Sequence, residues 1–81
     1  MRYIIFQDFG GKNTPIIFPD RIEFVDMREQ MPYTTVVSCG EVTLKDCSFR
    51  CSGGDAELGA TAGPDDAEII AAAFLLAEWP I

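Results

Sequence analysis

The sequence contains no histidine, and its basic residues are few and unevenly placed. Without an imidazole, the chain cannot form a Ser-His-Asp triad and lacks the commonest general acid–base group in catalysis. All six lysines and arginines lie in residues 1–50, so residues 51–81 carry six carboxylates and no cation. Direct binding to nucleic acid or to an acidic membrane requires a basic surface. The sequence therefore predicts neither, and it predicts attraction to a basic surface on a protein partner.

Long apolar runs are also missing. The longest, at residues 69–77, is far shorter than the roughly 20 residues of a transmembrane helix. The four apolar residues 3–6 are too few for the core of a signal peptide. A hydrophobic content of 48% nevertheless favours a folded chain. We therefore expect one cytosolic domain, residues 1–81, with a thin core.

The three cysteines, Cys39, Cys47 and Cys51, are an odd number in a chain without secretory features. Structural zinc needs four ligands, and histidine is unavailable to complete the set. We therefore expect reduced thiols, no metal and no cofactor. Cys47, Phe49 and Cys51 alternate as one face of a strand, which predicts core side chains.

The pattern along the chain predicts an α+β fold: a small antiparallel sheet of four or five strands, covered on one face by a C-terminal helix. The second helix falls at residues 20–31, where Asp20 could cap a helix but an alternating strand pattern competes. The C-terminal helix, 65–78, begins with a capping-box pattern of Asp65 and Glu68. The predicted strands are Arg2–Gln7 and Pro15–Phe18 as a hairpin, Tyr33–Cys39, Glu41–Lys45 with Val42 and Leu44 facing inward, and Cys47–Cys51.

The glycine-rich stretch 52–64 contains G-x-x-x-x-G from Gly54 to Gly59, as in a phosphate-binding loop. Ala60 stands where that loop needs lysine, and the acidic side chains inside it would repel a triphosphate. We interpret the stretch as a connector whose carboxylates, with those of the following helix, face a basic partner. The predicted partner-binding acids are Asp55, Glu57, Asp65, Asp66 and Glu68.

The C-terminal helix is apolar nearly all the way round. A helix that is apolar on several faces is buried on several faces. Two interpretations remain open: residues 20–31 cover the second side, or Phe74, Leu75 and Trp79 form an interface. These three residues are accordingly predicted to bind a partner, with a homodimer as the default.

Several fragments resemble small uncharacterised proteins of tailed phages and prophages: RYIIFQD, PIIFPD, VVSCG, the C-x-G-x-D-x-E-L-G of residues 51–59, and PDDAEII. The family carries serines where this chain has Asp55 and Glu57. The resemblance implies a phage protein in the bacterial host cytosol. We expect a non-enzymatic, stoichiometric inhibitor of a host nucleic-acid-handling or defence complex, similar to anti-CRISPR proteins and acting as a DNA charge mimic. The alternative is a structural or assembly accessory of the phage particle.

Overall fold

A computed structural model describes residues 1–45 and 48–73 of the chain. Its main sheet has four antiparallel strands in the order β2-β1-β3-β4. The strands are β1 (Arg2–Gln7), β2 (Asn13–Phe18), β3 (Thr35–Lys45) and β4 (Ser48–Ser52). A short hairpin of β5 (Gly54–Asp55) and β6 (Ala60–Thr61) and two helices, α1 (Phe24–Glu29) and α2 (Asp66–Ala71), complete the described part. The predicted α+β class is confirmed.

Strand β1 is central and is buried on both faces, as its continuous apolar run indicates. Ile4 and Phe6 point to one face, where they pack with Phe18 of β2 and Phe24 of α1. Tyr3 and Ile5 point to the other face and pack with side chains of β3 and α2, among them Val42 and Ile70. Two thin cores therefore share one strand, with α1 and the β5–β6 hairpin over the first face and α2 over the second.

The hairpin of β1 and β2 is confirmed, and its turn is closed by Asp8. The Asp8 Oδ1 accepts hydrogen bonds from the N–H groups of Gly10 and Lys12, each at 2.9 Å. Gly11 adopts φ 81°, a conformation that glycine reaches without strain. A short acidic side chain and a flexible glycine thus fix the register of the two strands.

Strand β3 runs unbroken through Gly40, where the sequence predicted a break between two strands. A Cβ at this position would overlap the carbonyl oxygen of Ser52, so glycine here permits close approach of the chain that leaves β4. Val42 is buried as predicted, but Leu44, which lies two residues further along the same strand, is 57% exposed, so the prediction that it packs inward with Val42 is wrong. Phe49 and Cys51 of β4 are half-buried against the second core, as their alternation predicts.

Residues 20–31 do form a helix, but only from Phe24 to Glu29, and its N-cap is Glu23 rather than Asp20. Asp20 instead forms an ion pair with the N-terminal amine at 3.3 Å. Among the described residues, no helix has the length and apolar character needed to cross a membrane.

Candidate partner-binding groove

An open groove of about 610 Å³ lies beside the first half of β3. One wall is the strand segment Val36–Ser38, and the other is the chain from the tip of the β5–β6 hairpin into α2, residues 58–66. Asn13 and Ile69 complete the lining. Volumes of 300–1,000 Å³ are typical of ligand sites. Most lining side chains are small or apolar, and the two charged ones, Asp65 and Asp66, are both acidic.

Asp66 is the internal anchor of this groove. The residue as a whole is only 3% exposed. Ser38 Oγ donates a hydrogen bond to Oδ1 at 2.8 Å, and the Gly63 N–H donates to Oδ2 at 2.8 Å. The Tyr3 hydroxyl donates to the same Oδ2. The carboxylate thus joins β1, β3 and the turn before α2. The sequence predicted Asp66 as a partner-binding acid on the surface, but the residue is buried and a partner cannot reach it.

Asp65, the neighbouring residue, is exposed and occupies the N-cap position of α2. Its side chain makes no capping hydrogen bond, so the capping box predicted for Asp65 and Glu68 is wrong. Instead, the Asp66 carboxylate accepts a hydrogen bond from the Gly63 N–H just before the helix. Asp65 and Glu68 are both exposed, and their side chains make no hydrogen bond with any other residue in the part of the chain that the structure describes.

The β5–β6 hairpin replaces most of the connector predicted for residues 52–64. Asp55 is half-buried, and its Oδ2 accepts the Leu58 N–H at 3.1 Å, which closes the turn. Gly59 adopts φ 68° in that turn. Asp55 thus has a structural role that the sequence did not indicate, whereas Glu57 at the tip is exposed. The G-x-x-x-x-G spacing belongs to a hairpin rather than to a loop opening a helix.

The hydroxyl and thiol groups near Asp66 are held in their protonated forms. Burial, followed by the hydrogen bond to Asp66, raises the pKa of the Tyr3 hydroxyl. Burial also raises the pKa of the Cys39 and Cys51 thiols above their ordinary value. Both cysteines are free thiols. Because the thiolate is the nucleophile, these thiols are poorly reactive at neutral pH.

The two halves of the described chain differ in how their charges are paired. The three ion pairs among the described residues all lie within residues 1–41, where Asp20 pairs with the N-terminus and Arg2 with Glu23 and Glu41. No ion pair involves the described carboxylates beyond residue 50. Residues 51–81 contain no lysine or arginine, so no side chain within that half could pair with them.

Four residues named from the sequence lie outside the described residues: Cys47, Phe74, Leu75 and Trp79. Their predicted roles, as a core thiol and as an interface, stay predictions. Within residues 1–45 and 48–73, no group of three or more cysteine or carboxylate side chains is arranged to hold a metal ion.

Sequence reasoning missed the cluster of Tyr3, Ser38 and Asp66. A faint signal was present, because Ser38 is a polar residue inside a β-branched strand and so needs a buried hydrogen-bond partner.

Sequence reasoning also missed two exposed aromatic side chains, Phe9 and Tyr33. The β1–β3 register pairs Gln7 with Thr35, so both aromatics lie at the same end of the sheet.

No protein-family model, curated protein or solved structure matches the chain. The resemblance to phage proteins stays a prediction, and the groove must be interpreted from its own chemistry.

Proposed function

We propose that the chain is a non-enzymatic binding protein whose acidic half, residues 51–81, docks on a basic surface of a partner protein. The proposal rests on unpaired charge. Glu57, Asp65 and Glu68 are exposed and make no ion pair or side-chain hydrogen bond with any other described residue. A surface designed only for solubility more often mixes both signs. Carboxylates without nearby cations attract a basic partner and accelerate its association.

The polar interior supports binding rather than catalysis. The Ser38 hydroxyl donates its hydrogen to the buried Asp66 carboxylate, with no imidazole in the chain to activate it. The raised pKa values of Tyr3 and Cys51 keep both groups protonated. These groups satisfy one another inside the fold, which is the arrangement of a structural network.

The partner that fits best is a nucleic-acid-handling protein, because such proteins carry the basic surfaces that neutralise phosphates. In the proposed setting, the chain is a phage protein that blocks a host defence complex in the bacterial cytosol by imitating the charge of DNA. A role as an accessory of the phage particle predicts capsid or tail proteins as partners instead.

Two charge-matched variants test the proposal. The first carries Glu57→Gln, Asp65→Asn and Glu68→Gln in the acidic half. The second carries Asp20→Asn, Asp26→Asn and Glu29→Gln, which are exposed acids of the other half. Each variant changes the net charge from −7 to −4 (−7 + 3). The variants differ in the location of the lost charge and in the exposed ion pair between Asp20 and the N-terminal amine, which only the second variant loses.

Immobilised parent and variant proteins would capture partners from bacterial lysate at low and high ionic strength, with quantification by mass spectrometry. We expect basic nucleic-acid-binding proteins on the parent and on the Asp20/Asp26/Glu29 variant, with capture that weakens in salt. The Glu57/Asp65/Glu68 variant should lose them. Equal capture by both variants, or capture that salt does not affect, would contradict the proposal.

A further inference from the structure

We propose that the groove beside β3 binds an extended, basic segment of the partner, which adds a strand to the outer edge of β3. This inference rests on the proposed function and names where and how the partner is held. In strand addition, backbone hydrogen bonds supply affinity and alternate side chains supply specificity.

Within residues 1–45 and 48–73, no strand pairs with the outer edge of β3 over its first half. Residues 35–40, apart from Val37, pair with β1 on one side, whereas on the other side β4 pairs only with Glu41–Lys45. Beyond the ladder with β1, residues 35–40 form no backbone–backbone hydrogen bond with any described residue. Backbone groups of a strand that point away from its one neighbour are free to pair with another strand. Accordingly, this segment offers donors and acceptors to an incoming chain.

The accessible part of that edge is short and ends inside the groove. Cys39 Sγ donates to the carbonyl oxygen of Ala60 at 3.5 Å, so the hairpin closes the groove at that residue. Towards the other end, Thr35 is exposed and Val37 is 46% exposed. An added strand would therefore pair over residues 35–38, with its backbone between β3 and the hairpin and its side chains pointing alternately to the two faces of the sheet.

A register irregularity marks the same place. Between Ile5 and Phe6 the β1–β3 pairing shifts, so that Val37 has no partner residue on β1. Bulges of this kind are frequent beside functional sites, where they redirect a side chain. Here the extra residue is one of those lining the groove.

The composition of the groove selects the occupant. The facing wall is built of small residues, Gly59, Ala60, Ala62 and Gly63, which let another backbone approach closely. No lining residue is basic, and because Asp66 is buried and hydrogen-bonded inside the fold, the negative charge that a partner can reach in the lining is that of Asp65. Exposed Asp65 stands at the end of that wall. An extended segment that alternates small apolar side chains with lysine or arginine complements both features.

The test uses a short, end-blocked peptide of alternating lysine and valine, titrated into the isotopically labelled protein and followed by NMR. We expect amide shifts concentrated at Val36–Ser38 and at residues 60–63, with slower amide exchange in residues 35–38. A peptide with N-methylated backbone amides should bind about tenfold more weakly or worse, because it lacks the donors for strand pairing. A peptide with glutamate in place of lysine should not bind.

Val37→Arg places a positive charge in the groove at an exposed position and should weaken binding of the lysine peptide about tenfold. Val25→Arg, at a position on α1 that is 39% exposed and does not line the groove, should leave it unchanged. The amide spectra of the two variants would show whether each of them folds.

The outcomes separate the two proposals. Shifts outside the groove, unchanged affinity of the N-methylated peptide, or equal effects of the two arginines would overturn strand addition. If the Glu57/Asp65/Glu68 variant then still loses its captured basic partners, the proposed function stands without the groove. Absence of binding by the lysine peptide contradicts strand addition, and equal binding by the glutamate peptide contradicts both proposals.

Discussion

Adjacent aspartates at the start of α2 should respond very differently to the same substitution. The Asp66 carboxylate is buried and accepts hydrogen bonds from Tyr3, Ser38 and Gly63. Asp65 is exposed and its side chain makes no capping bond. Changing either residue to asparagine removes one negative charge from the same helix terminus. Any difference in stability between the two variants therefore reports the buried network and not the net charge.

The expected magnitude follows from the number of bonds that change character. A hydrogen bond to a charged group contributes about 1.5–3 kcal/mol, and a neutral one about 0.5–1.5 kcal/mol. Replacing the carboxylate by an amide thus loses about 1 kcal/mol in each of three bonds. The Ser38 hydroxyl can rotate to accept from the new amide group, which recovers part of the loss. We expect Asp66→Asn to lower the free energy of unfolding by about 2–3 kcal/mol, whereas Asp65→Asn should stay within about 0.5 kcal/mol of the parent.

Urea denaturation at neutral pH measures the difference. With a slope of about 1 kcal/mol per molar urea, the midpoint of Asp66→Asn should fall by about 2 M. Thermal unfolding should show a decrease on the order of 10 °C. Combining Asp66→Asn with Tyr3→Phe should cost less than the sum of the single changes, by about 1 kcal/mol, because the first weakens and the second removes the same bond. Equal midpoints for the Asp65 and Asp66 variants would refute the structural role assigned to the buried carboxylate.

Three further expectations concern other parts of the chain. Folding raises the pKa of Tyr3 above its ordinary 10.0, so the stabilising contribution of Tyr3 is complete below about pH 10 and decreases as the pH rises further. Above that pH, the urea midpoint should fall less steeply with pH for Tyr3→Phe than for the exposed control Tyr33→Phe. Equal slopes of midpoint against pH for the two variants would contradict this expectation. Gly40→Ala should destabilise by about 1–3 kcal/mol through overlap with the chain leaving β4, whereas Gly10→Ala, which meets only a side-chain oxygen at 3.4 Å, should have little effect in the same unfolding assay. If the apolar C-terminal segment mediates self-association, Leu75→Glu should shift light-scattering masses towards the monomer, and a monomeric parent at high concentration would exclude the dimer.

The elements that the sequence predicted well are those whose local pattern has one physical solution. The run Tyr3–Phe6 has no polar position, so a strand built from it must be buried on both faces, as β1 is. Gly10 and Gly11 in the turn before β2 indicate the hairpin, and the alternation of Phe49 and Cys51 predicts the inner face of β4. In each case the signal lies within a few residues and does not depend on which distant segment supplies the contacts.

The errors arose where a distant contact decides. Gly40 was predicted to interrupt a strand, because nothing nearby shows that the backbone of Ser52 passes against it. Asp20 was predicted to cap α1, but it lies near the N-terminal amine and the helix begins later. Leu44 follows the inward alternation of β3, yet it remains exposed. Local pattern thus predicts the direction of a side chain better than what covers it.

The acidic half illustrates the same limit for the candidate site. From the sequence, the carboxylates of residues 55–68 form one class, because each is acidic and lies near glycine or a helix start. The structure divides them by their hydrogen bonds: Asp66 is internal, and Asp55 closes a turn. The exposed side chains of Glu57, Asp65 and Glu68 form no hydrogen bond or ion pair with another described residue. Among the carboxylates of residues 55–68, only these three can interact with a partner without breaking a described hydrogen bond. The proposed binding surface is therefore smaller than the number of acidic residues suggests. Asp66 contributes indirectly, because its bonds to Ser38 and Gly63 hold the two walls of the groove at a fixed separation. A preorganised groove loses less conformational entropy when a partner binds.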